Sequence, residues 1–249
     1  MLDVKSRSLK MANPLIENVK KISPSVVAIA YSQPVSKLGA RPEIVVHGTG
    51  FVISKKGYVC TCEHIARGAM GQLMVGIVGN NKDYHFAPAE IARSDVERDT
   101  SILRIPVPPA EIGSLFEAPI GTSEDIEVGE EVCFCGFPFG GSTGGGFSPS
   151  VTRGIISAFR LRKVGDLELK HFQLDALTME GNSGAPLFKS ENGSIIGMIG
   201  ARFDPLMIGN IPQVTIGGRP LGFPTNIGFA IPIDAVKAMI DITVRGESV

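Results

Sequence analysis

The 249-residue chain has no apolar run approaching the roughly 18 residues of a membrane span, almost no net charge, and only four cysteines. Each scarcity excludes something. Without a long apolar run there is no candidate membrane helix. The first twenty residues also lack the apolar core that a secretory leader needs, so the chain as written is expected to stay inside the cell, in the cytoplasm if it is full length. A net charge of -1 gives no reason to expect nucleic acid or an anionic membrane as an obligatory partner. The cysteines form two Cys-x-Cys pairs, Cys60/Cys62 and Cys133/Cys135. That spacing is tighter than the usual C-x-x-C of zinc sites. Both pairs lie in strand-like apolar runs, where alternate residues share a face, and they read as buried free thiols.

What is abundant is turn chemistry. Thirty glycines and seventeen prolines punctuate a chain that is 43% hydrophobic. Between them recur short runs rich in Val and Ile: Ser25–Tyr31, Glu43–His47, Gly50–Ser54, Tyr58–Cys62, Leu73–Val78, His85–Arg93 and Ser101–Ile105. A second series follows: Glu131–Gly136, Val151–Arg160, His171–Asp175, Ala185–Phe188, Ile195–Ala201 and Ile227–Ile231. Many short strands with turn signals between them predict an all-β sandwich or barrel. Residues 14–21 read as a short amphipathic helix. Ile233–Val244 reads as a closing helix, with Asp234 as N-cap and Gly246 as stop. The stretch 106–125, rich in Pro, Gly and acidic groups, marks a junction. We therefore divide the chain into an N-terminal segment (1–23), a first β unit (24–115), a linker (116–128) and a second β unit with the closing helix (129–249). Loops are expected at 32–42, 140–150 and 204–225.

One run carries a chemical signal, Gly181-Asn182-Ser183-Gly184. Hydrolysis of a peptide needs a nucleophile, a base and donors for the oxyanion. A tight Gly-x-Ser-Gly turn supplies the first and last, through Ser183 and the N–H groups of Gly181 and Ser183. Alone, such a run is equally an ordinary turn. Among the four histidines only His64 closes a Gly-Tyr-Val-Cys-Thr-Cys-Glu-His strand, and Asp99 leads into the apolar run Thr-Ser-Ile-Leu-Arg-Ile. Alone, each is as well read as a structural histidine and a cap or turn carboxylate. Together they give the order His, Asp, Ser, with the first two in one half and Ser in the other, which is the chymotrypsin order.

Gly48–Ser54 followed by Gly57–His64 resembles the strand–turn–strand that presents the histidine in HtrA/DegP-type, trypsin-like serine proteases. Asp99–Ile105, Gly136-Phe-Pro-Phe-Gly140, Val151–Ser157, Gln173–Ala176, Gly181–Leu187 and Ile227–Pro232 are similar to further motifs of that family, in order. The resemblance runs from about Leu15 to about Ile240. It implies two six-stranded antiparallel β-barrels with short terminal helices and an active site in the crevice between them. It also implies a catalytic triad of His64, Asp99 and Ser183, with an oxyanion hole at Gly181, Asn182 and Ser183. Neither metal nor other cofactor is implied. An S1 pocket is expected among Leu177, Ile199, Gly200, Ala201, Arg202 and Gly228. Leu177 at its base, where trypsin-type pockets carry an acid, points to small or medium apolar P1 side chains.

Departures from the pattern matter. The family usually carries a PDZ domain after the protease, and here few residues follow the last helix-like run: a stand-alone protease domain, or a chain cut short. Met179-Glu180 replaces an Asn-Pro-like pair, and Glu180 either faces the site entrance or is a solvated loop residue. Asn182 stands where digestive relatives have the Asp that pairs with a new N-terminus, so no activating cleavage is expected. Expected partners are unfolded or extended polypeptides. A homotrimer is compatible with Met1, Leu2, Leu9, Met11, Leu15 and Ile16, although residues 1–30 lack aromatics. The alternative to an active peptidase is an inactive or latent protease-fold binding or scaffold protein.

Overall fold

Branched and aromatic residues fit a pleated, half-buried surface, and the runs they dominate pair into two large antiparallel sheets. The computed structural model describes residues 13–33, 42–68, 71–79, 83–106, 115–141, 148–202, 215–216, 219–220 and 226–246. The expected loops at 32–42, 140–150 and 204–225, and part of the junction, lie largely outside these residues.

The first sheet holds β1 (Val26–Gln33), β2 (Glu43–Ser54), β3 (Tyr58–Thr61), β4 (Gln72–Val78), β5 (Tyr84–Pro88), β6 (Glu90–Asp95) and β7 (Thr100–Arg104). Its order is β5-β4-β1-β2-β3-β7-β6. The two edge strands, β5 and β6, are separated in sequence by Ala89 alone. A sheet whose opposite edges are one residue apart has to curl until the edges meet. The single run expected at His85–Arg93 is thus one bent strand. Pro88, with no N–H to offer a ladder, stands immediately before the bend. The separate runs expected at Glu43–His47 and Gly50–Ser54 are the continuous β2.

The second sheet is a closed six-stranded barrel in the order β10-β15-β12-β11-β8-β9. It comprises β8 (Glu131–Gly136), β9 (Ser150–Val164), β10 (Leu167–Asp175), β11 (Pro186–Lys189), β12 (Ile195–Arg202) and β15 (Ile227–Pro232). A two-stranded ladder, β13 (Thr215–Ile216) with β14 (Arg219–Pro220), stands apart. Three α-helices lie among the described residues: α1 (Pro14–Ile22), α2 (Glu63–Arg67) and α3 (Asp234–Arg245). Asn13 caps α1 by accepting from the Leu15 N–H, with Pro14 at the first helical position, where its missing N–H costs nothing. For α3 the cap is Ile233. Asp234 is the first helical residue and its carboxylate turns away, accepting from Ser123 and Thr122.

Strand alternation builds two cores. Along β8, Val132 and Phe134 point into the barrel interior, while Cys133 and Cys135, with Phe137 just beyond, face the first sheet. Along β12 a bulge against Leu187/Phe188 breaks the alternation, so Ile196 and Ile199 lie in the barrel core while Ile195 and Met198 join the core shared with β1, β2 and β3. The larger core therefore runs between the sheets as well as inside the first. The four cysteines are free and buried, and Cys60 Sγ meets Met198 Sδ across this boundary at 3.9 Å. The junction is strapped to both sides: Ala118 N–H bonds to Val52 O, and Gly121 N–H to Ile195 O.

Candidate active site

Strand β3 ends at Thr61, and after the extended Cys62 the chain turns into α2, so His64 is the second residue of a helix. The sequence reading carried the strand through to His64. A five-residue helix is too short for periodicity to reveal it. What anchors it is Tyr31, whose buried hydroxyl lies 3.0 Å from the Ile65 carbonyl and 2.6 Å from that of Ala66.

Asp99 closes the turn between β6 and β7 with φ +48°, in the left-handed region that Asp tolerates better than most residues. Its carboxylate accepts from the His64 backbone N–H at 3.0 Å and meets His64 Nδ1 at 2.9 and 2.8 Å. The imidazole is thereby fixed in place and tautomer, with Nδ1 protonated and Nε2 turned elsewhere.

The Ser183 turn is held from the first sheet by Thr49 of β2. Thr49 is fully buried and uses all its polar groups. Its hydroxyl donates to Gly181 O at 2.6 Å and accepts from Phe137 N–H at 3.0 Å. Its N–H donates to Ser183 O at 2.9 Å, and its carbonyl accepts from the Thr61 hydroxyl at 2.7 Å. Gly184 (φ +87°) passes so close that a Cβ there would lie 1.9 Å from Thr49 O, so no other residue fits. Gly181 has φ +91°. Among the described residues, no acceptor takes the N–H of Gly181 or of Ser183. Both belong to a turn whose neighbouring N–H groups are engaged: Asn182 to Met179 O, Gly184 to Ile199 O and Ala185 to Asn182 O.

The Ile199 carbonyl ties the two halves together. It accepts from Gly184 N–H at 2.7 Å and from the Cys62 thiol at 3.3 Å. Cys62 Sγ, a His64 ring nitrogen and an Asp99 oxygen all lie within 4.8 Å of one another. His64 and Asp99 thus meet from α2 and the β6–β7 turn, and the Ser183 turn is tied to the same region through the Ile199 carbonyl that Gly184 and Cys62 share. The Ser183 hydroxyl itself donates to Gly200 O at 3.1 Å, and among the described residues it has no bond to His64.

Of the residues expected around S1, Leu177 is 38% exposed, while the Ile199 side chain is buried in the barrel core and only its backbone reaches the site. Ile199 thus meets this region through its carbonyl and not through its side chain. Gly200 offers its carbonyl, and Gly228 lies against Thr178, whose Cγ2 would be 2.5 Å from a Cβ at 228. The side chains of Ala201 and Arg202 lie outside the described part of the structure. Thr49 and Thr178 were missed by the sequence reading. Thr178 is buried with its hydroxyl unpartnered among the described residues. The GTG around Thr49 was legible as part of a motif, and nothing in the sequence marked Thr178. Asn182 is buried and Glu180 exposed. Burial pushes the Cys62 thiol well up, with Asp99 adding to the effect, and pushes Cys60 up to about 12, so both are protonated at neutral pH.

A family model described as a trypsin-like peptidase domain matches residues 48–198, which include His64, Asp99 and Ser183. The chain belongs to the trypsin-like peptidase family. Within it, the domain is 32% identical over 194 residues to a probable periplasmic serine endoprotease DegP-like of Halomonas elongata, covering 78% of this chain and 34% of that protein. It is likewise 32% identical to Protease Do-like 1, chloroplastic, of Arabidopsis thaliana, covering 80% of this chain and 39% of that one. The peptidase domain thus spans little more than a third of the length of these relatives. Its fold matches the solved structure of the HtrA-type protease AlgW with decapeptide at a TM-score of 0.68 and 24% identity, over 92% of this chain and 67% of that one. The HtrA/DegP-type resemblance stands. The cytoplasmic placement does not, because relatives from Halomonas elongata, Pseudomonas putida and Hahella chejuensis are named periplasmic. The lack of an apolar leader core, on which that placement rested, does not decide a compartment. No helix among the described residues is long and apolar enough to cross a membrane.

Proposed function

We propose that this domain is a serine endopeptidase that cleaves unfolded or extended polypeptides. The observation that carries the reading is the His64–Asp99 pair, with both carboxylate oxygens on Nδ1, beside a Ser183 turn that has two uncommitted N–H groups. In this reading Ser183 leaves Gly200 O by rotating about Cα–Cβ, from one staggered well to another, and offers its hydroxyl to His64 Nε2. His64 then accepts the proton as Ser183 Oγ attacks the scissile carbonyl, and Asp99 stabilises the imidazolium. The oxyanion is received by the N–H groups of Gly181 and Ser183, with Asn182 shaping the turn. His64 returns the proton to the leaving amine. Water, deprotonated by the same base, releases the acyl group.

An unfolded chain can lie extended across the crevice between the sheets and reach Ser183, whereas a folded one cannot. Leu177 at the S1 base offers no charge to pair Lys or Arg, and burying an unpaired charge costs several kcal/mol. Apolar P1 residues such as Val, Ala or Leu are therefore preferred. Because Asn182 is buried and uncharged, the site needs no ion pair with a freed N-terminus.

One observation favours a second reading, a latent or inactive protease-fold protein: the Ser183 hydroxyl is bonded to Gly200 O rather than His64. The test is hydrolysis of unfolded casein and of a folded protein by the wild type and by Ser183→Ala. The active reading predicts cleavage of casein, sparing of the folded protein, mainly apolar P1 residues and no cleavage by the variant. No cleavage by either, with peptide added and after warming, would leave the latent reading in its place.

A further inference from the structure

Cys62 has no part in the mechanism above, yet its sulfur lies against the pair that does. We infer that Cys62 Sγ, His64 Nδ1 and an Asp99 carboxylate oxygen form an inhibitory site for a thiophilic divalent cation such as Zn2+. This rests on the proposed role of His64 as general base. Cys, His and Asp are a common zinc donor set, with bonds of about 2.0–2.3 Å, which set tetrahedral ligand atoms about 3.3–3.8 Å apart. Cys62 Sγ, a ring nitrogen of His64 and an Asp99 oxygen lie within 4.8 Å of one another, and Nδ1 is the nitrogen that faces Asp99. They come from three separately anchored places: the end of β3, the first turn of α2 and the β6–β7 turn. The His64 side chain is 47% exposed, whereas Cys62 is fully buried, so an ion would have to displace the ring from its Asp99 bond to reach the sulfur.

The geometry also dictates the consequence. His64 Nδ1 and the nearer Asp99 oxygen are 2.8 Å apart, too close for both to bind one cation, so coordination has to open their hydrogen bond. The Nδ1 proton moves to Nε2, the thiol proton leaves to solvent, and Asp99 is already a carboxylate. With Nε2 protonated, His64 no longer accepts the Ser183 proton. Occupancy and catalysis exclude each other. A thiolate ligand selects Zn2+ or Co2+ over Mg2+ or Ca2+.

The experiment reads each variant against itself. Wild type on casein should lose at least tenfold of its activity in Zn2+, recover it with EDTA and ignore Mg2+. Cys62→Ala should keep in Zn2+ most of whatever activity it has without it. Independently of activity, Ser183→Ala loaded with Co2+ should show a near-ultraviolet thiolate-to-cobalt charge-transfer band, absent from Ser183→Ala carrying Cys62→Ala as well. Cys62→Ser serves in both assays if the alanine variant does not fold. Equal inhibition of wild type and Cys62 variant, no inhibition of an active wild type, or a cobalt band indifferent to Cys62 overturns the proposal. If the wild type has no peptidase activity, the cobalt spectra alone decide whether the site exists, and the catalytic reading fails separately.

Discussion

Thr49 shows how much of the active-site geometry depends on one side chain remote from the chemistry. Its hydroxyl joins Gly181 O to Phe137 N–H, so it sets the height of the turn whose N–H groups are proposed to receive the oxyanion. Thr49→Val keeps the shape and removes both bonds. It leaves two buried backbone groups unsatisfied, at a cost of about 1–3 kcal/mol. Because the turn would relax, kcat should fall about 10- to 100-fold with KM little changed. Thr49→Ser, which restores the hydroxyl, should recover most of the rate. A steady-state comparison of the three proteins checks this, and a loss confined to KM, or no rescue by Ser, contradicts it. At this scale the sequence was informative where chemistry forces a residue type. Gly184 was legible because no side chain fits beside Thr49 O. Cys62 and Thr178 were not, since a Cys in an apolar run and a Thr in a loop have many uses and only the fold brings them to the site.

Among the elements, α3 is fastened through its first residue. Asp234 accepts from the side chains of Thr122 and Ser123 at 2.9 and 2.7 Å and pairs with Lys237 at 2.7 Å. Burial alone would raise its pKa. The bonds from Lys237 and Ser123 outweigh that and hold the carboxyl below its ordinary value of 3.8. A carboxylate depressed in the folded state stabilises fully above its unfolded value, and that stabilisation is lost as the pH falls through the folded one. Asp234→Asn should therefore lower Tm by a few degrees at pH 7, on the order of 1 kcal/mol. The gap should narrow as the pH drops below about 4. Melting curves across this range check it, and a gap that widens in acid contradicts it. The sequence placed α3 within one residue but made Asp234 its cap, because a cap and a first-turn carboxylate look alike until the partner, Ser123 on a distant segment, is seen. It placed the β8 boundaries as found. It missed α2, since Ile65 and Ala66 are too few to show a period, and it cut β2 in two at Gly48 and Thr49, where the strand is shaped by its contact with the Ser183 turn.

Across the whole molecule, the core shared by the two sheets makes them one mechanical unit. Phe137 is fully buried in it and meets Tyr84 edge-on at 5.5 Å. Phe137→Ala should cost about 3–5 kcal/mol and lower a single unfolding transition. Two separate transitions in calorimetry would mean that the sheets fold independently. That continuity bears on the proposed function, because His64 and Asp99 come from the first sheet and Ser183 from the turn that leads into β11 of the second. The central claim is that Ser183 is a nucleophile activated by His64 and Asp99. The most direct measurement is labelling by a fluorophosphonate probe, with the modified peptide located by mass spectrometry. The account predicts a single adduct on Ser183 in the wild type, its loss in Ser183→Ala and much slower labelling in His64→Ala. An adduct elsewhere, or labelling of Ser183 that is indifferent to His64, would contradict it.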